Sequence, residues 1–292
     1  MNFIFTTISV ALASSLTLQA GSYNGGDLFN GISSGHDGHS HDHIGHADEV
    51  FGFNLLDHWF DSPGVHDHSS ENRSRFIHPL TVEAAFNDGD FFLDYVFSSF
   101  DDEDEHEIEI ELEFALTRRL GIILETAYEF ENEDGSTDQG FADLAVATRF
   151  VLAEFENVIT TANIEFQIPT GEEAFSSDEL ILEPTLLTWF DLGHGFTLNT
   201  AIGLEIGTRS NDLEFLFETA LLKQLGNGLA LTVETRSEVG LRDEERGDIS
   251  SEGTLGAIYR FNKSTSIRGG WNFPITNSDF NGGAIASFNI SF

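Results

Sequence analysis

The chain of 292 residues carries 50 acidic against 13 basic residues, for a formal net charge of −37, and has no cysteine. That excludes disulfides, thiolate metal centres and cysteine nucleophiles, and it argues against a nucleic-acid partner, which needs a basic footprint. Hydrophobic residues still make up 40%, with 28 Phe; disordered acidic chains are poor in aromatics, so the acid is mounted on a framework that folds.

Residues 1–20 contain no acidic residue, include an apolar run and end in Ala20 before Gly21. This is the outline of a signal peptide, with only the amino terminus for positive charge. Beyond it no run of about 18 apolar residues occurs, so no helical membrane span is expected. Residues 21–77 read as a His-rich flexible arm with a short apolar element at 50–60. The arm holds His36, His39, His41, His43 and His46 beside Asp37 and Asp42, then His66 and His68. Imidazole and carboxylate together suit Zn, Ni or Cu. Spacings of two and three on a flexible segment give overlapping sites rather than one tetrahedral centre, and a solvated linker is the equal alternative. No cofactor is required; Zn or another divalent metal on this arm is the one candidate.

From residue 78 the texture changes. In 107–117 Ile108, Ile110, Leu112, Phe114 and Leu116 alternate with Glu107, Glu109, Glu111 and Glu113. Period two puts each set on its own face of a strand. The pattern recurs at 91–98, 107–117, 120–130, 141–152, 157–168, 180–190, 195–207, 212–222, 228–239, 252–262, 265–273 and 282–292. Most segments exceed the usual strand of about 5–6 residues and match the roughly 9–11 of a tilted membrane-crossing strand. The fold class expected is all-β: a single antiparallel transmembrane barrel over 78–292, of about twelve strands. Residues 78–86 look like a thirteenth strand, are a periplasmic or plug element, or pair with 50–60 to make fourteen.

The connections alternate in length. Those at 117–120, 153–157, 191–195, 223–228 and 262–264 are short; those at 99–106, 131–140, 169–179, 240–251 and 274–281 are mostly longer and more polar. Short periplasmic turns and long external loops are the habit of outer-membrane barrels, and this places both termini in the periplasm. The last residues put Phe288, Ile290 and Phe292 on one face, which resembles the terminal-strand signal read by the barrel-assembly machinery.

The outward row is apolar: Phe150, Phe166, Leu186, Leu198, Ile202, Phe215, Phe217, Leu231, Val233, Tyr259 and Trp271. The inward row holds Glu107, Glu109, Glu111, Glu113, Glu125, Asp143, Arg149, Glu165, Glu183, Glu205, Glu214, Glu218, Glu234, Arg236, Arg260 and Arg268. Charges facing lipid near the midplane would cost up to a few kcal/mol each; in a watery lumen they cost little. A lumen dominated by carboxylates attracts cations. The function expected is an outer-membrane channel or transporter component passing a cation or small solute. Glu107, Glu109, Glu111, Glu113, Glu125, Glu165, Glu205 and Glu234 are its transport residues, and divalent metals collected by the arm are candidate cargo. The alternatives are a Glu–Arg network that only holds the walls, a structural or adhesion barrel, and a lipid-modifying enzyme. For the enzyme, Ser98 or Ser99 near His106 is the nearest local pair, but no base with an orienting partner is evident, so no enzymatic activity is expected. His78 and His194 read as edge or turn residues. The run Asp101–Glu105 lacks the turn glycine of a Ca²⁺ loop and reads as a solvated cluster.

Two short motifs add a resemblance. GFADL at 140–144 followed by Pro169-Thr170-Gly171 resembles the G-x-G-D-L strand and P-T-G turn of the transporter barrels grouped with phenol-degradation (MetA-pathway) outer-membrane proteins, with Ala142 at the second glycine. It covers about a third of the chain. The resemblance implies an outer-membrane barrel with a transport role, surrounded by outer-membrane lipid, and names no substrate.

Overall fold

The computed structural model describes Trp59 and residues 76–292, apart from 102, 134–135, 211, 227, 243–246, 263 and 277–278. The signal peptide and the histidine arm lie outside the described residues, as does all of the 50–60 element except Trp59.

Thirteen strands follow in chain order: β1 Asp90–Phe100, β2 Glu103–Ala115, β3 Leu120–Glu133, β4 Ser136–Phe141, β5 Leu144–Phe155, β6 Val158–Ile168, β7 Ile181–Gly193, β8 Phe196–Gly207, β9 Leu213–Gly226, β10 Leu229–Gly240, β11 Ile249–Arg260, β12 Thr265–Pro274 and β13 Phe280–Ser291. Every pairing is antiparallel between neighbours, β1 pairs with β13, and β2 pairs with β3, so the sheet closes on itself. Strand β3 pairs with β4 along Tyr128–Glu133 and with β5 along Leu120–Glu125. β4 and β5 are therefore one stave broken at Ala142–Asp143, and the barrel has twelve staves. Closure satisfies the backbone groups that lipid cannot.

The alternation seen in the sequence sets the faces. Tyr95, Ile108, Phe166, Ile202, Val233, Tyr259 and Trp271 are exposed on the outer wall, and their strand neighbours turn inward. Three expectations change. The hairpins β1–β2 and β3–β4 are taller than their polar sequences suggested: Glu103–Glu105 and Glu131–Glu133 continue the ladder, because cross-strand pairing overrides the weak strand preference of acidic residues. Asp143 sits in the stave break rather than in an inward row. Residues 78–86 form no strand. With 76–77 they run through the lumen as a plug, since each of the twelve staves is paired on both sides around the lumen and only the short β4 above it has a single partner.

Candidate functional site

The inner faces of β1, β2 and β3 make an acidic wall. Glu111 faces Glu125, Glu107 faces Glu129 and Glu105 faces Glu131 in direct register, while Asp94 faces Glu109 from β1. Like charges opposite each other destabilise a sheet, so this wall is not there for strength. Together with Glu113, Glu165, Glu183 and Glu205 it lines a cavity of about 490 Å³ above the plug. Glu107 lies further out, in a recess of about 110 Å³ with Glu105, Glu129 and Glu131. Arg236 reaches Glu238 at 2.8 Å and Glu218 at 3.5 Å, answering part of the charge on the far wall.

The plug is irregular backbone at membrane depth, tolerated only where each polar group finds a partner. The wall supplies them. Glu234 accepts from Leu80 N at 2.8 Å, Thr81 N at 2.7 Å and Thr81 Oγ1 at 2.8 Å. Arg268 donates to Pro79 O at 2.6 Å while holding Asp94 at 2.9 Å. Arg149 donates to Phe86 O and to Glu113 Oε1, each at 3.0 Å, and also binds Glu83. Arg260 reaches Phe76 O at 3.2 Å, and Thr161 caps Ala85 O. Glu234 does point inward as expected, but its carboxylate is taken by the plug. Three of the inward arginines likewise serve the plug.

Apolar burial completes the seat. Phe76, Ile77, Val82, Ala84, Ala85 and Phe86 form one core with Val151, Ile159, Leu187, Trp189, Leu222 and Ile258 of the wall. Phe76 stacks on Trp189 with ring centres 4.7 Å apart. Gly256 and Gly270 leave the space that Leu80 fills. The sequence signal was present: around Val151, Leu187–Trp189 and Leu222 the strict alternation lapses and both faces turn apolar. A water-filled lumen would not want this; a plugged one does.

At the periplasmic end His78 lies beside three carboxylates. Its Nε2 is 3.2 Å from Asp90 Oδ2 and 3.8 Å from Asp88 Oδ2. Burial by itself would lower its pKa, but Glu113, Asp88 and Asp90 outweigh that and raise it to about 10. Far from an edge histidine, His78 is a buried member of the plug. His194 is the turn residue expected, with φ of 55°.

The two family motifs meet outside the lumen. Asp143 Oδ1 accepts from Thr170 N at 2.9 Å and Gly171 N at 2.8 Å, and Oδ2 accepts from Ser177 N and Oγ. Burial would raise the Asp143 pKa, yet these donors hold it below the ordinary value. The stave break presents this carboxylate to the loop 169–180.

Of the remaining expectations, Phe288 and Ile290 face outward and are exposed. Phe292 N donates to Gly89 O at 2.8 Å, tying the end of β13 to the plug's exit. Ser98 lines the cavity and, with His106, the smaller recess, but the hydrogen bond of His106 Nδ1 is with Tyr95 Oη at 2.7 Å. His36, His39, His41, His43, His46, His66 and His68 lie outside the described residues.

The comparisons agree with this architecture. An outer-membrane channel from Pseudomonas putida F1 superposes with a TM-score of 0.58 at 12% identity, covering 74% of this chain and 100% of that one. The NanC porin superposes at 0.53 with 9% identity, covering 69% and 98%. At these identities the likeness is one of fold. No curated protein sequence matches the chain. The family model described as "Putative MetA-pathway of phenol degradation" matches residues 79–290, which takes in plug residues 79–86 and the barrel up to the penultimate residue of β13. The chain therefore belongs to that family, and its fold is a closed β-barrel like those of outer-membrane channels and porins.

Proposed function

We propose that this barrel is a plugged outer-membrane channel that passes cations in preference to anions. The observation that carries the reading is the self-facing carboxylate wall: Glu111 opposite Glu125 and Asp94 opposite Glu109 on the boundary of the 490 Å³ cavity. Carboxylates placed against each other repel in the empty barrel and are relieved by a passing cation, whereas an anion meets an unfavourable field. The seated plug is the closed state, and its release opens the path.

The test is planar-bilayer recording of the purified protein in a KCl gradient. A reversal potential on the cation side supports the reading; an anion-side potential overturns it. The apolar core that the plug forms with the wall favours a second reading, a sealed structural barrel. That reading predicts no conductance even when the plug anchors are removed.

Two finer points belong to the same proposal. The histidines of the arm, His36 to His68, collect divalent cations; replacing them with alanine is expected to lower zinc uptake by the protein without changing its conductance. Phe288, Ile290 and Phe292 present the assembly signal, so Phe292→Ala is expected to slow the appearance of the heat-modifiable folded form in membranes.

A further inference from the structure

His78 leaves the plug between the start of β1 and the periplasmic end of β2. Its Nε2, a carboxylate oxygen of Asp90 and one of Glu113 all lie within 4.8 Å of one another. Asp90 is 0% exposed and Glu113 2%. The other oxygens of this cluster are already committed: Asn289 Nδ2 donates to Asp90 Oδ1 at 3.0 Å and Arg149 to Glu113 Oε1 at 3.0 Å. What hydrogen bonding leaves over, among the described residues, is His78 Nε2, Asp90 Oδ2 and Glu113 Oε2. The contact between His78 Nε2 and Asp90 is close in distance, 3.2 Å, but is not aligned as a hydrogen bond.

We infer that His78, Asp90 and Glu113 form a buried site for a divalent cation of the zinc type, which pins the plug to the wall. Three residues from three segments each bring one atom without a hydrogen bond into the same small volume, two of them, His78 Nε2 and Asp90 Oδ2, as an ion pair 3.2 Å apart. Buried charge is tolerated when it is paired or binds a metal. One imidazole nitrogen with two carboxylate oxygens is a zinc donor set, with the fourth position left for water. Tetrahedral bonds of about 2.0–2.2 Å put neighbouring donors roughly 3.3 Å apart, and the His78–Asp90 pair is already at that spacing. The carboxylates that favour a proton on His78 favour a metal in its place. Because the ligands come from the plug, β1 and β2, an occupied site holds the plug's exit, while the site is independent of whether the lumen prefers cations.

The test uses the full chain with the seven arm histidines (His36, His39, His41, His43, His46, His66 and His68) replaced by alanine, which removes their contribution. The protein is refolded in detergent with zinc chloride, dialysed, and assayed for zinc by elemental analysis. One zinc per chain is expected. His78→Gln in the same background is expected to weaken retention at least tenfold, with folding checked by heat-modifiable migration. A Glu109→Gln/Glu111→Gln/Glu125→Gln variant is expected to keep its zinc. His78 lies outside every strand, so the barrel can close without it; should that variant not fold, Asp90→Asn is the second. Cobalt in place of zinc is expected to give a visible tetrahedral band that His78→Gln abolishes. No zinc in the arm-silenced protein, or zinc that survives the loss of His78, overturns the inference.

Discussion

Gly256 lies directly against Leu80 of the plug: a methyl group built on Gly256 falls 2.1 Å from Leu80 Cδ1, and one built on Gly270 falls 2.7 Å away. Leu80 Cδ1 has to move if either glycine gains a side chain, and at Gly256 the neighbouring Thr232 methyl at 2.9 Å and Gly269 O at 3.1 Å limit where it can go. Overpacking a closed site costs about 1–3 kcal/mol, and every 1.4 kcal/mol is tenfold in an equilibrium. Gly256→Val is therefore expected to shift the plug toward its released state and raise open probability in bilayer recordings by about tenfold. The barrel itself should still form, since Gly256 faces the lumen. Unchanged conductance with a folded barrel would show that the plug does not gate.

Glu234 offers a chemical route to the same state. Its carboxylate accepts two buried plug N–H groups and a hydroxyl. Glu234→Ala strands both amides, at about 1–3 kcal/mol for each buried group left unsatisfied. Glu234→Gln keeps one acceptor oxygen and is expected to be milder. The natural chain has no cysteine, so a single Val82→Cys reports directly on the seat. A membrane-impermeant maleimide is expected to label it slowly in the parent, faster with Glu234→Gln and fastest with Glu234→Ala. Equal rates in all three would exclude Glu234 as an anchor.

Asp143 sets an acid limit on the external loop 169–180. Its pKa in the folded protein is held below the ordinary carboxylate value by the amides of Gly171 and Ser177 and the Ser177 hydroxyl. A depressed folded pKa means that the stabilisation is fully present above the unfolded value and is lost as pH falls through the folded one. The loop is thus expected to stay latched at neutral pH and to loosen only in strong acid. A spin label on Glu173→Cys should turn mobile below about pH 4, and Asp143→Asn should be mobile at pH 7 as well. A label that is equally immobile in Asp143→Asn at pH 7 would mean that the carboxylate does not hold the loop.

The barrel was legible because lipid imposes period two on every stave, and Glu107–Leu116 carries that period without interruption. The staves near 141–152 and 282–292 could be placed to within a few residues for the same reason. The plug was not legible as a plug, because Leu80, Val82 and Ala84 alternate with Thr81 and Glu83 as a strand would. What decides against one is the closed ring of staves, together with the lapse of alternation in the wall around Val151, Leu187–Trp189 and Leu222, where a partner inside the lumen is needed. The inward row was legible by sign of charge but not by hydrogen-bond partner. Glu234 and Glu111 look alike in sequence, yet one holds Leu80 and Thr81 while the other faces Glu125 across the cavity. Partner identity depends on register between strands and on a segment some 150 residues away, and neither leaves a local mark.

The facing pairs of the acidic wall separate transport from architecture by the sign of two changes. Glu111 and Glu125 stand in direct register, and like charges so placed destabilise a sheet by about 0.2–1 kcal/mol. Glutamine keeps the size and hydrogen-bonding capacity while removing the charge. Replacing Glu109, Glu111 and Glu125 together by glutamine is expected to raise the urea midpoint for barrel unfolding and to reduce cation preference in reversal-potential measurements. The loss of preference should be largest at low ionic strength, where screening is weakest. A wall built only to brace the barrel would behave in the opposite way, losing stability with its charges and leaving selectivity where it was. A gain in stability bought with a loss of selectivity is what a site kept for function, against the interest of the fold, is expected to show.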